Sequence, residues 1–431
     1  MQNDVSGTSR LGANELLLTE VTARMDLVRL PGESIVVEQL SPFEQLVRNG
    51  APADPIPFSN YIQHRGRRAD VACYNNGTNN FICRDVLFRC ESIASEDDTA
   101  LGRVEVAYWA LPDKAPIETI MGHVQICAVL RRCRKDPNDS DSENEEEEEE
   151  DDIVFEKTNQ FVAVKVNYWG RMQRLRGRHA EDPLNEIAAM QIIGNHHPNV
   201  LGCLEVLFDG ENLNVVLPYL DGGDFFEVMQ ENLQLATPGM HEGLARYWFR
   251  QICEGLEHLH GVGICHRDLS PENVMIHGNQ ACIIIDMGMA LRVPYTNPDD
   301  PTGPVVDISR GMQKRLIRPQ GACGKLPYMS PEIYRSVDPF DSGAVDVWTA
   351  GTILFCMLTG NRSYQRPHRS DPQFHWMTHG LPTLLNDWGV ELSDDAVDLL
   401  KGMLQIEPRN RLTLEEVMAH AWLAHPDTAP E

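Results

Sequence analysis

The segment HRDLSPENV, His266 to Val274, brings Asp268 and Asn273 close together in one short stretch. A further carboxylate, Asp286, follows in DMG (286–288) behind a run of isoleucines. Carboxylate and amide oxygens are hard donors of the kind Mg2+ prefers, and a positioned carboxylate can accept the proton of a hydroxyl. Upstream, the strand-like VAVK ends on Lys165, and Glu186 lies in the helix-like stretch that follows. The set therefore joins a proton acceptor, oxygen donors for a hard cation, and a lysine with a carboxylate to hold it. Any one of these residues alone reads equally well as a surface salt bridge or a capped turn. The order and spacing of the whole set do not.

HRDLSPENV resembles the catalytic loop of the eukaryotic protein kinases, serine/threonine type. The other motifs stand in that family's order. SPE (330–332) occupies the place of the family's APE, DVWTAG begins at Asp346, and Arg411 sits in EPRNRLT. The resemblance implies ATP and Mg2+ as cofactors and transfer of the γ-phosphate to Ser or Thr of protein substrates. PEN, rather than a tyrosine-kinase AARN or RAAN ending, favours Ser/Thr acceptors. Such transfer needs positioning and charge neutralisation more than covalent help. The resemblance gives Lys165 the α- and β-phosphates, with Glu186 fixing it. Asn273 and Asp286 take Mg2+, and Asp268 takes the substrate hydroxyl. In VLPYLDGGDFF, Leu217 becomes the gatekeeper, and Pro218 and Leu220 meet adenine through their backbone. Ala163 and Met275 sandwich the ring. Asp224 and Glu272 stand where basophilic members receive an arginine upstream of the acceptor, so a basic substrate segment is expected on charge grounds; ribose or solvent are the alternatives. Glu332 and Arg411 are expected as a buried ion pair, and Asp346 as an anchor of the catalytic-loop backbone.

Three departures from the family stand out. Its phosphate-covering pattern is GxGxxGxV. Here Gly122 and Val124 fit the end of it, while Ile117 and Thr119 occupy the earlier Gly positions, where side chains hinder close approach of backbone to phosphate. Gly102 and Val104, with a longer insert, are the alternative. Second, Ser270 stands where the family has Lys, and Lys325 stands where it has Thr. An exchange of sides is expected, with Lys325 supplying charge near the γ-phosphate and Ser270 the hydroxyl; independent drift is the alternative. Third, the activation segment, 286–332, is long and has no Ser, Thr or Tyr between Arg310 and Lys325. It is expected to be held by its own contacts, leaving Arg267 without a phosphorylated partner. Thr296, Thr302 and Ser309 remain as hydroxyls farther away. Arg310, Lys314, Arg315 and Arg318 either meet the acidic run in cis or stay solvated, since exposed pairs are worth ~0–1 kcal/mol.

The elements that must position these residues follow from pattern. VEVAYWAL (104–111), HVQICAVL (123–130), FVAVKVNY (161–168) and LNVVLPYL (213–220) read as strands. Asn185 to Ile193 reads as a helix behind Pro183. From Glu242 onward the segments have helical period. Strands first and helices later predict an α+β, two-lobed protein kinase-like fold: a small antiparallel sheet lobe and a larger helical lobe, with ATP in the cleft. The expected divisions are an extension over 1–100, the kinase domain over 101–424 with an acidic insert at 136–152 between strands, and a tail over 425–431. Leu11 to Leu30 reads as one amphipathic helix.

Composition narrows the classes. Net charge is −27, and Asp136 to Asp152 alone carries twelve carboxylates and no base. A field of that sign repels phosphate backbones, so no nucleic acid is expected as partner. The acidic run is expected to be solvated, with a basic protein as its candidate partner; its Ser140 and Ser142 suit an acid-directed kinase. Eleven scattered cysteines without a CxxC pair point to reduced thiols. The start lacks an apolar h-region, and no run reaches a membrane span, so a cytoplasmic and/or nuclear protein is expected. Two competing readings are a pseudokinase scaffold and an acidic interaction protein.

Overall fold

A computed structural model of the chain describes residues 52–58, 61–75, 79–90, 104–133, 154–175, 181–233, 239–278 and 280–430. The described chain divides into two compact units. One takes the described residues within 61–175 and 203–219; the other takes 52–58, 181–202 and 220–430. The acidic run, Ser140, Ser142, the 11–30 helix and the alternative Gly102 lie outside the described residues.

The first unit is a sheet of β1 (His64–Asn75), β2 (Asn79–Cys90), β3 (Val106–Ala110), β4 (Ile117–Glu118), β5 (Gly122–Cys133), β6 (Val154–Tyr168), β7 (Glu205–Phe208) and β8 (Asn212–Pro218), with α1 (Trp169–Leu175) after β6. Its order is β3-β2-β1-β7-β8-β6-β5-β4. Pairing is mostly antiparallel, but β1 runs parallel to β6 and β7, so the sheet is larger and more mixed than the sequence suggested. The additional β3–β5 and β1–β6 pairings close β1, β2, β3, β5 and β6 into a ring. Closure removes free edges, and the ring's inside is filled by Val71, Cys73, Cys83, Val86, Phe88, Val104, Ala107, Leu130 and Phe155. The expected extension over 1–100 therefore contributes two strands to the same sheet as the later segments. The ends of β5 and β6 pair through Cys133 and Val154, so the acidic run is inserted between these two strands.

A charged knot fastens β1 to its neighbours. Arg68 Nε donates to Asp209 Oδ2 (3.1 Å), Nη1 to Asp85 Oδ2 (3.0 Å) and Nη2 to Asn214 Oδ1 (3.0 Å). Burial works to raise the Asp209 pKa, but hydrogen bonds from Asn214, the Asn212 and Glu211 backbone and Arg68 hold it below the ordinary value. Arg68→Met removes the positive charge from that carboxylate and leaves it only its neutral donors. The expected loss is about 2 kcal/mol, below the range for a fully buried pair because Arg68 is partly exposed; thermal unfolding would read it as a lowered Tm, and an unchanged Tm would dismiss the knot as a stabilising element.

The second unit is mainly helical. It begins with α2 (Pro183–Ile193), whose N-cap Asp182 accepts from Leu184 N–H and whose Pro183 is a good first-turn residue. Next come α3 (Phe225–Leu233) and α4 (Glu242–Gly261). Ala245, Trp248, Phe249, Ile252, Cys253, Leu256 and Leu259 form a buried stripe along α4. Short strand pairs follow: β9 (Ile264–Cys265) with β12 (Leu291–Arg292), β10 (Val274–His277) with β11 (Ala281–Ile284), and β13 (Tyr295–Thr296) with β14 (Gln313–Lys314). After α5 (Pro331–Arg335), α6 (Ser342–Thr359) runs through the core, capped by Asp341 and by Gly360 in the left-handed region. Further helices span Pro372–His379, Leu381–Trp388, Asp394–Met403, Leu414–Met418 and Ala421–Ala424. Among the described residues, α6 is the one helix long and apolar enough to cross a membrane, and 94% of it is buried in the unit. It is a core helix by that measure.

Candidate active site

The HRDLSPENV loop leaves β9 in an unusual conformation. Arg267 has φ +67°, a left-handed value that costs a non-glycine residue ~1–2 kcal/mol. The buried Asp346 carboxylate fixes it. Its Oδ2 accepts from His266 N–H (3.0 Å) and His260 Nε2 (2.9 Å), and its Oδ1 accepts from Arg267 N–H (2.9 Å). Burial alone would raise the Asp346 pKa, but the bonds from His260 and Arg267 hold it below the ordinary value. The anchoring contact expected of Asp346 is thus present. His266 completes the turn: Nε2–H donates to Ile285 O (3.0 Å) and Nδ1 accepts from Asp268 N–H (3.2 Å).

That turn presents Asp268. Asn273 Nδ2 donates to its carbonyl (2.7 Å) and to Oδ2 (3.3 Å), while the buried Oδ1 has no hydrogen-bond partner. Burial raises the Asp268 pKa, against the opposing charge of Lys325. The result is a half-buried carboxylate with one lone-pair face reserved for an incoming donor. Gly324, in the activation segment, faces it with φ +89°, and a Cβ there would sit 2.9 Å from Arg267 O; only glycine fits.

Asn273 and Asp286 are brought together by the β10–β11 hairpin. Val274 pairs with Ile284, and Ile285 N–H donates to Asn273 O (2.9 Å), so both side chains leave the same end of the hairpin. Asp286, at φ +65°, caps its own turn through Gly288 N–H to Oδ1 (3.0 Å). Met275 lies on β10, and Asp224 bridges to it. The Asp224 Oδ1 also accepts Glu227 N–H at the start of α3 (3.0 Å).

Lys325 and Ser270, paired on sequence grounds, are in contact: Nζ donates to Ser270 Oγ at 2.8 Å and lies 3.1 Å from Glu272 Oε2. Burial works to raise the Glu272 pKa, but its own backbone N–H and the Lys325 ammonium hold it down. Arg267, for which the sequence offered no phosphorylated partner, places Nε and Nη2 on Cys323 Sγ (3.2 and 2.5 Å). Burial keeps that thiol's pKa raised in spite of the guanidinium. Three of the basic residues have partners within the unit: Lys314 pairs with Asp341 (2.7 Å), Arg318 with Asp54 (2.7 Å), and Arg315 donates to Gly303 O (3.4 Å); the acidic run lies outside the described residues. Glu332 and Arg411 form the expected buried, two-pronged pair, at 2.7 and 3.2 Å.

In the first unit, Lys165 stands on β6 opposite Val124 and Val215, and Ala163 stands opposite Ile126 and Leu217. These residues, with Val215 and Leu217 buried and the other four half-buried, share one face of the sheet, while Val162, Val164 and Val166 fill the other. The sequence reading missed Ile126; the period-2 alternation from Val124 carries it. Pro218 ends β8 opposite Val162, and Leu220 and Glu186 belong to the second unit. Gly122 begins β5. A Cβ there would sit 1.9 Å from Val166 O, so glycine is required by the crossing of β5 and β6. Its N–H is taken by Thr119 Oγ1 (3.1 Å), and Thr119 N–H by Gly122 O (2.9 Å). This turn is closed on itself by those two bonds.

Comparison with known proteins agrees with this geometry. The model of the protein kinase domain matches residues 152–423. The SNF-related serine/threonine-protein kinase of Homo sapiens is 30% identical over 276 residues, 63% of this chain and 31% of its own. The serine/threonine-protein kinase CHK1 of Mycosarcoma maydis is 31% identical over 210 residues, 49% and 28%. DCLK3 of Homo sapiens, also a serine/threonine-protein kinase, is 29% identical over 273 residues, 62% and 37%. The chain thus spans well under half the length of these relatives. With the family model covering more than half of it and the loop, hairpin and anchor geometry in place, the chain belongs to the protein kinase family.

Proposed function

We propose that the chain is an active protein kinase that moves the γ-phosphate of ATP to Ser or Thr hydroxyls of proteins. The observation that carries this reading is the unpartnered, buried Oδ1 of Asp268, held beside Asn273 and within the field of Lys325. A hydroxyl donated to that oxygen is oriented for in-line attack and has a base for its proton. Asn273 and Asp286 fit Mg2+ by donor type, one amide and one carboxylate oxygen; among the described residues no cluster of three His, Cys, Asp or Glu competes as a metal site. Such a sparse protein set suits an ion that keeps waters and phosphate oxygens. When bound, the ion supplies charge neutralisation at the phosphates. Lys165 is assigned to the α- and β-phosphates. Val124, Ala163, Leu217 and Pro218 in the first unit, and Leu220 and Met275 in the second, are assigned to adenine. Lys325 replaces the family's loop lysine beside the γ-phosphate. It also neutralises Glu272, so a preference for a basic residue upstream of the acceptor rests on Asp224 alone.

The test is transfer of labelled γ-phosphate by the wild-type protein to a Ser/Thr/Tyr peptide library, followed by phosphoamino-acid analysis. Phosphoserine and phosphothreonine are expected. A folded, Mg-ATP-saturated protein that transfers nothing would favour a pseudokinase scaffold, the reading supported by the self-closed Gly122 turn. Lys325 gives a second check through pH. Its charge lowers the Asp268 pKa, so Lys325→Met should raise that pKa and move the acid limb of kcat/KM to higher pH. An unmoved limb would remove Lys325 from the site.

A further inference from the structure

Residues 52–58, PADPIPF, lie outside the stretch that matches the kinase family and make no contact that their sequence advertises. In the structure they lie along the activation segment. Ala53 N–H donates to Leu316 O (3.0 Å), and Arg318 N–H donates to Ala53 O (2.9 Å). On its other side, Ile317 exchanges both backbone bonds with Phe340 (2.9 Å each). Ala53, Ile317 and Phe340 thus form a three-strand rung whose middle member is the activation segment. Farther along, Ile56 N–H donates to Arg292 O (3.1 Å), and Arg292 Nη1 returns a bond to Pro57 O (3.2 Å). Asp54 adds the ion pair to Arg318. Prolines 52, 55 and 57 keep the stretch extended, which limits the entropy lost on docking.

Both grasped points lead to the catalytic loop. Arg292 pairs with Ile264 on β9, whose strand runs directly into His266. Ile317 is fully buried and packs with Cys323, Met329, Ile333, Phe340 and Val345, and Cys323 holds Arg267. The part of the activation segment around Ile317, residues 311–324, contains no hydroxyl side chain to phosphorylate.

We propose that residues 52–58 are a strap in cis. Through Ala53 and Ile56, its positioning residues, it holds the activation segment in the arrangement that presents Lys325 and Asp268, in place of a phosphate on that segment. Only its catalytic readout rests on the kinase reading above.

The test is A53P/I56P in the full chain, which deletes the two N–H donors to Leu316 and Arg292 and adds no charge. Hydrogen exchange at the Ile317 and Arg318 amides should rise roughly tenfold to a hundredfold for two lost hydrogen bonds. KM for a peptide substrate should rise about fivefold or more through lost positioning, with KM for ATP unchanged. Unchanged exchange over 313–320 overturns the strap, and so does a parallel shift of both KM values, which a merely structural role would give. If the wild type transfers no phosphate, the kinase reading fails while exchange still decides the strap. If A53P/I56P does not fold, exchange of the wild type in low denaturant decides. Amides of Ile56 and Arg318 that open together before global unfolding support a clasp; opening only with global unfolding overturns it.

Discussion

Asp268→Asn is expected to remove phosphotransfer while leaving the protein folded and able to bind its substrates. Asn273 Nδ2 already donates to Asp268 Oδ2 and to its carbonyl, so the new amide must turn its oxygen toward Asn273. Its NH2 then occupies the position of Oδ1, the atom that has no partner in the wild type. A donor would face the incoming hydroxyl where an acceptor is required. Loss of a positioned general base is worth roughly 10²–10⁴-fold in kcat, with KM changed little because shape is kept. The pH profile adds a signature. Burial raises the Asp268 pKa, so wild-type activity should fall on the acid side through a limb above the ordinary aspartate value, and the residual activity of the variant should lack that limb. Rapid-quench phosphotransfer across pH would read both. A kcat within tenfold of wild type would take Asp268 out of the base role.

What was readable in the sequence depended on whether the chemistry is local. His266 to Val274 and Asp286 are set by short loops and one hairpin, so residue types at fixed spacing predict their neighbourhood. The Lys325–Ser270 contact was readable for a different reason: two departures from a pattern complemented one another, and the 2.8 Å bond joins them. The β1–β2 hairpin was not readable. Its inward positions include Gly66 and Arg68 as well as Val71 and Cys73, and the register slips between Ala69 and Val71, so the period of two breaks within the strand. The strap was invisible because Ala53 and Ile56 bind through their backbone, which leaves no side-chain pattern. A glycine needed for a close approach of two strands and one needed for phosphate look alike in sequence; the 1.9 Å approach to Val166 O gives Gly122 the first of these needs.

The buried pair Glu332–Arg411 should yield the largest stability effect. Arg411 is stacked on Trp348, 5.0 Å from the ring centroid. It donates to both Glu332 oxygens, to Ala344 O (2.6 Å) and to Gln405 O (2.9 and 3.1 Å). Arg411→Met keeps bulk against the tryptophan but leaves a buried carboxylate and two carbonyls without their donor. Breaking such a pair from one side typically costs about 3–5 kcal/mol, whereas replacing both partners by apolar side chains is often neutral. The double variant E332L/R411M should therefore recover much of what R411M loses. Denaturant unfolding of the three proteins at neutral pH would measure both the loss and the recovery. Equal stability of R411M and wild type at neutral pH would mean that the segment bearing Glu332 is held by the hydrophobic cluster around Ile333 and Phe340 rather than by this pair.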